Sequence, residues 1–81
     1  MTLTVRLFAA ARDAAGSDEV RLEVEDGARA GDVIAALAAF RPALGDVARR
    51  SRLAVNQAFA RPDDPVRPGD EVALIPPVSG G

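Results

Sequence analysis

Two stretches near the start of the chain alternate between apolar and polar residues. Leu3, Val5 and Leu7 are spaced by Thr4 and Arg6, a period of two that predicts a half-buried strand. Leu3, Val5 and Leu7 would face a core, with Thr4, Arg6 and Phe8 on the opposite side. The second stretch, Glu19 to Glu25, sends Val20, Leu22 and Val24 inward and Arg21, Glu23 and Glu25 outward. Between them, Ala9 to Ala15 suits a turn or two of helix stopped by Gly16, so the strands read as a hairpin with a long connection. After the Asp26-Gly27 turn the period changes. Val33, Leu37 and Phe40 fall at i, i+4 and i+7, predicting a helix over Ala30 to Phe40 with Ile34 and Ala36 beside the stripe. Asp32 lies in its first turn, where a negative charge suits the helix dipole. Arg41-Pro42 ends it, because a residue before proline disfavours the α region.

Asp46 to Arg52 is expected to hold a further helical turn, Leu53 to Asn56 a short strand, and Gln57 to Ala60 a continuation or a re-pairing. Arg61 to Asp70 contains three prolines and Pro68-Gly69-Asp70, which predicts a loop. Glu71 to Ile75 is the last strand, ended by Pro76-Pro77. The order is β–β–α–β–(β)–β, an α+β class in which one main helix covers one face of a mixed sheet. This order resembles the ubiquitin-like β-grasp, which places the last strand centrally beside the first. The apolar run Val72-Ala73-Leu74-Ile75 suits such a slot. Residues 1–77 are expected to form the β-grasp domain and 78–81 a flexible Gly-Gly tail.

Composition narrows the chemistry. The 81 residues make one small domain, 48% hydrophobic and 27% charged. There is no His, Cys, Tyr, Trp or Lys, which excludes a catalytic triad, a Schiff base and a zinc site built on His or Cys, while a carboxylate pair stays open. No metal site is expected. The net charge of −2 disfavours nucleic acid as the main partner. No apolar run approaches the roughly 20 residues of a membrane span, and the start lacks a signal peptide's pattern. The lack of cysteine is compatible with a reducing compartment, and a cytoplasmic location is expected. All ten basic residues are Arg, which is most simply a matter of overall composition. Arg49, Arg50 and Arg52 read as a solvated basic face, and Asp63-Asp64 as turn chemistry.

The end of the chain carries the remaining chemistry. An apolar run and a stiff Pro76-Pro77 step lead to Val78-Ser79-Gly80-Gly81. Without a Cβ, a Gly-Gly end fits a narrow channel and adopts backbone angles closed to other residues. Its one reactive group is the α-carboxylate, ionised at neutral pH with a pKa of about 3.3–3.7. Such a group is inert until activated, for instance as an acyl-adenylate. The end therefore reads as a handle presented to other enzymes.

Val55-Asn56-Gln57, the Gly-Asp-Glu-Val run inside residues 68–72, the opening Val5-Arg6-Leu7-Phe8-Ala9 with Arg12, and the closing Pro-Pro-Val-Ser-Gly-Gly together resemble a known family. It is the β-grasp sulfur carriers, to which the small subunit of molybdopterin synthase and the thiamine-pathway carrier belong. The resemblance spans the whole chain. It implies a non-catalytic, sulfur-donating subunit whose chemistry takes place at its own end, on Gly81 with Gly80 beside it. An E1-like enzyme would adenylate the carboxylate and sulfur would replace one oxygen. The tail would then enter the large synthase subunit and donate sulfur to cyclic pyranopterin monophosphate. ATP and the sulfur donor would be used by the activating enzymes, with no cofactor held by this chain. Pro76, Pro77, Val78 and Ser79 would guide the tail. Relatives often carry a capping Thr where Arg29 stands, and an arginine side chain cannot accept the amide hydrogen bond of that cap.

The residues support a partner surface independently of the resemblance. Strand parity puts Phe8 and Ile75 together on the face opposite the helix, with Phe59 as a third candidate. Exposed apolar side chains near a reactive end point to an interface and a hetero-oligomer. Three alternatives stay open: a carrier for thiamine, cysteine or transfer-RNA thiolation; a modifier whose Gly81 is joined to target lysines; and a binding module with an inert tail.

Overall fold

The computed structural model describes residues 1–77; residues 78–81 lie outside it. Five strands form one sheet: β1 (Thr2–Leu7), β2 (Glu19–Glu23), β3 (Arg52–Val55), β4 (Ala58–Phe59) and β5 (Val72–Ile75). The spatial order is β2-β1-β5-β3-β4. β5 runs parallel to β1, and the other pairings are antiparallel. This is the mixed sheet expected of a β-grasp, with the last strand at its centre. Three helices accompany it: α1 (Ala9–Ala15), α2 (Ala30–Phe40) and α3 (Gly45–Arg50), the last two joined by a 3-10 turn at Pro42–Leu44. No described helix is long and apolar enough to cross a membrane.

The core follows the period-two pattern. Leu3, Val5 and Leu7 on β1, Val20 and Leu22 on β2, Leu53 on β3, and Val72 and Leu74 on β5 are buried in one cluster. Ala30, Val33 and Leu37 of α2 close that cluster, joined by Ala11, Leu44, Val47 and Ala48. Full burial of a branched side chain contributes roughly 1.5–3 kcal/mol, so these rows are the main source of stability.

Four expectations are corrected. Phe40 is not on the buried stripe but 55% exposed. The chain turns at Arg41-Pro42, and Leu44, fully buried, joins the core in its stead. β2 ends at Glu23, because the chain turns at Asp26-Gly27, although Val24 still packs on the core. The second helix covers Gly45–Arg50, and Arg52 already belongs to β3. Phe8 follows β1 as the N-cap of α1. Its extended backbone (φ −132°, ψ 156°) preserves the strand parity for one more residue.

Local stops match the residues. Gly16 caps α1 at φ 73°, a left-handed conformation that glycine adopts without steric cost, and its N–H donates to the Arg12 carbonyl. The start of α2 is held without a capping hydroxyl. The Ala30 and Gly31 amides donate to the Asp64 and Pro62 carbonyls at 2.8 and 3.0 Å. The Asp32 carboxylate accepts from the Arg29 amide at 2.9 Å. The 61–64 loop thus supplies the acceptors that a Thr at position 29 would otherwise provide in part. The helix boundary is where the periodicity predicts it.

Candidate docking face and carrier terminus

The helices cover one face of the sheet and leave the other open. Register lines up Arg6 with Ala73, Ala73 with Ala54, and Ala54 with Phe59, so this row crosses β1, β5, β3 and β4. One step further along β5, Ile75 pairs with Arg52. Each of these residues alternates with a buried neighbour or continues such a strand, which is why they share the open face.

Phe8, Phe59 and Ile75 are brought together as expected. With Ala54, Ala73, Gln57 and Glu71 they line a shallow cavity of about 310 Å³. Phe8 and Phe59 are 41% and 55% exposed. The alanines make the depression: a methyl at positions 54 and 73 leaves the floor low between the two phenyl rings and Ile75. Pro76 and Pro77 leave the rim of this cavity directly after Ile75, Pro76 half-buried and Pro77 exposed. Val78, Ser79, Gly80 and Gly81 lie outside the described residues.

The Val55-Asn56-Gln57 motif has a structural explanation. Asn56 and Gln57 have φ of 52° and 70°, forming the tight link between β3 and β4. Asparagine tolerates this region better than most residues. Its side chain also reaches β5: Asn56 Nδ2 donates to Asp70 Oδ1 at 3.0 Å, and the Glu71 amide donates to Asn56 Oδ1 at 2.9 Å. The Asn56 amide donates to the Glu71 carbonyl at 2.7 Å. One residue therefore ties the hairpin to the start of the central strand. The amide of Arg67, then the side chain of Asn56, hold the Asp70 carboxyl below its ordinary pKa.

Sequence reasoning missed Ala54 and Ala73 as parts of the face, put Arg6 on it by parity without giving it a role, and grouped Arg52 with the wrong neighbours. Arg49 sits 3.9 Å from Asp46 on α3, and Arg50 donates to the Asp46 carbonyl. Arg52 instead lies over the Phe59 ring, 4.1 Å from its centroid. The signal was present: positions 52 and 54 flank the buried Leu53, so parity separates them from the helix. Asp63 and Asp64 are turn residues, with Asp64 Oδ2 accepting from the Arg61 amide at 2.8 Å.

The fold is that of a β-grasp domain with an open apolar patch and a Pro-Pro step directly after its central strand. The model of the ThiS family matches residues 5–81, and the chain belongs to that family. It is 43% identical over 83 residues to the molybdopterin synthase sulfur carrier subunit of Chlamydomonas reinhardtii, covering 100% of both chains. It is 37% identical to small archaeal modifier protein 1 of Haloferax volcanii, over 94% of this chain and 97% of that one. The crystal structure of SAMP1 from Haloferax volcanii superposes with a TM-score of 0.84 at 34% identity, covering 100% of each chain.

Proposed function

We propose that this chain is the sulfur-carrier subunit of a molybdopterin synthase. The observation that carries the reading is the full-length match to a relative of that name, within a family match that runs through Gly81. In the proposed cycle an E1-like enzyme joins the Gly81 carboxylate to AMP and releases pyrophosphate from ATP. A donor at the sulfide level then attacks the acyl carbon, AMP leaves, and a thiocarboxylate remains. That sulfur is transferred to cyclic pyranopterin monophosphate in the large subunit, while water restores the carboxylate. Two such deliveries supply the dithiolene. ATP, the sulfur donor and the pterin are held by the partners, and a cytoplasmic site of action fits the need for ATP.

The open face suits the docking half of this cycle. Phe8, Phe59 and Ile75 would anchor the large subunit, and Pro76-Pro77 would aim Val78, Ser79, Gly80 and Gly81 into it. Prolines lack an amide donor and hold φ near −65°, so they end sheet pairing and stiffen the exit.

The test is intact mass after incubation with the activating enzyme, ATP and a sulfur donor. A gain equal to one sulfur-for-oxygen exchange is expected, and Gly81→Ala should lose it while melting at the same temperature. Near-wild-type conversion by Gly81→Ala would overturn the requirement for a glycine end. A second reading, ligation of Gly81 to target lysines, is favoured by the likeness to small archaeal modifier protein 1. Higher-mass conjugates that survive reduction and denaturation, without thiocarboxylate, would select it.

A further inference from the structure

We propose that Arg6 and Arg52 make the docking face selective for a partner surface that sets carboxylates on both sides of an apolar knob. This deepens the carrier reading and rests on it: the occupant is the large synthase subunit. The two arginines bracket the central strand, Arg6 beside Ala73 from β1 and Arg52 beside Ile75 from β3. Each guanidinium is held over a phenyl ring of the same patch. Arg52 stands 4.1 Å from the Phe59 centroid, and Arg6 stands 5.8 Å from that of Phe8.

At 4.1 Å the Arg52 guanidinium is in contact with its ring, which leaves it N–H groups for a bidentate carboxylate and less freedom to lose on binding. Arg6, at 5.8 Å, stands near the outer reach of a cation–π attraction. The chain uses other arginines for its own fold. Arg29, Arg41 and Arg50 donate to backbone carbonyls, and Arg49 pairs with Asp46. Among the described residues, neither Arg6 nor Arg52 has a side-chain hydrogen bond or a carboxylate within 4.0 Å. Glu19 stands opposite Arg6 in register and Glu71 lines the cavity, so the patch carries acidic neighbours of its own. The chain as a whole has a net charge of −2. Two arginines beside the apolar floor therefore run against the overall charge and mark an orientation. A partner with carboxylates at the matching places is steered to this face and not to the acidic remainder.

The experiment measures association of the full chain with the large subunit from the same genome, at about 0.01 M and about 1 M salt. The Arg6→Gln/Arg52→Gln variant should associate about tenfold more slowly than the parent at low salt, with the gap closing at high salt. Arg49→Gln/Arg50→Gln removes the same charge from α3 and should match the parent. Melting curves confirm that both variants fold. Equal slowing by the two variants would reduce the effect to net charge and overturn the proposal. So would parental rates for Arg6→Gln/Arg52→Gln. Absence of any binding by the parent chain would strike the carrier reading itself.

Discussion

The two faces of the sheet are built from alternate residues of the same strands and have opposite fates. Along β5, Val72 and Leu74 are fully buried beneath the helices, while Ala73 and Ile75 between them are half-buried on the open side. On β3, Leu53 is buried and Ala54 is left partly open. The helix face is filled by Leu and Val side chains and closed by Ala30, Val33 and Leu37. The open face is apolar too, yet it is made of two alanines, an isoleucine and two phenyl rings with a hollow between them. One face is finished within the chain, and the other is left open. Stability should reside on the first and recognition on the second.

The largest test of that division is Leu37→Ala. Its side chain is wholly buried, so the cavity should cost roughly 2–5 kcal/mol in denaturant unfolding. The melting temperature should fall by about 10 °C or more. Asn56→Ala comes next, because it removes two hydrogen bonds and places alanine at φ 52°. A loss of about 1–3 kcal/mol is expected, with weaker partner binding, since Asn56 holds β4 and β5 in register. Unchanged stability would deny it the role of a tie. Phe8→Ala and Ile75→Ala should each weaken large-subunit binding by more than about 1 kcal/mol in calorimetry, with Phe59→Ala a third. If Phe8→Ala unfolds the domain as badly as Leu37→Ala, the contrast between the faces is wrong.

The smallest effect is electrostatic. The folded pKa of Asp70 lies below its ordinary value of 3.8, chiefly through the Arg67 amide and then Asn56. A depressed carboxylate stabilises the fold fully above the unfolded value and loses that contribution as pH falls through the folded one. The stability difference between the parent and Asp70→Asn should therefore be constant at neutral pH and shrink below about pH 4. Acid titration of the two melting curves checks the sign.

Much of this was legible in the residues, and unevenly so. The strand alternations, the helix over Ala30 to Phe40 and the stops at Gly16 and Pro42 rest on local sterics and periodicity, which act within a few residues. Phe8 and Ile75 could be named because parity carries a side chain to one face wherever the strand goes. Phe59 stands in a stretch without that alternation, and its only local signal is a large ring between small residues. Phe40 misled for the complementary reason: a helical stripe says which side is apolar, not where the core ends along the axis. Arg52 was grouped with Arg49 and Arg50 by adjacency, although the chain changes from helix to strand between them.

The sequence by itself determined the class of fold, the central place of the last strand, and the lack of histidine, cysteine and lysine side chains for chemistry. Each of these follows from short-range patterns or from which side chains are present at all. Only the tertiary structure decided that Ala54 and Ala73 form the floor of a hollow. It also decided that Arg6 and Arg52 stand over phenyl rings on either side of that hollow. The start of α2 is capped by carbonyls more than thirty residues away in the chain, and Asn56 binds the edge hairpin to the central strand. These depend on register between distant strands, and register is set by the packing of the whole sheet against its helices rather than by any one segment.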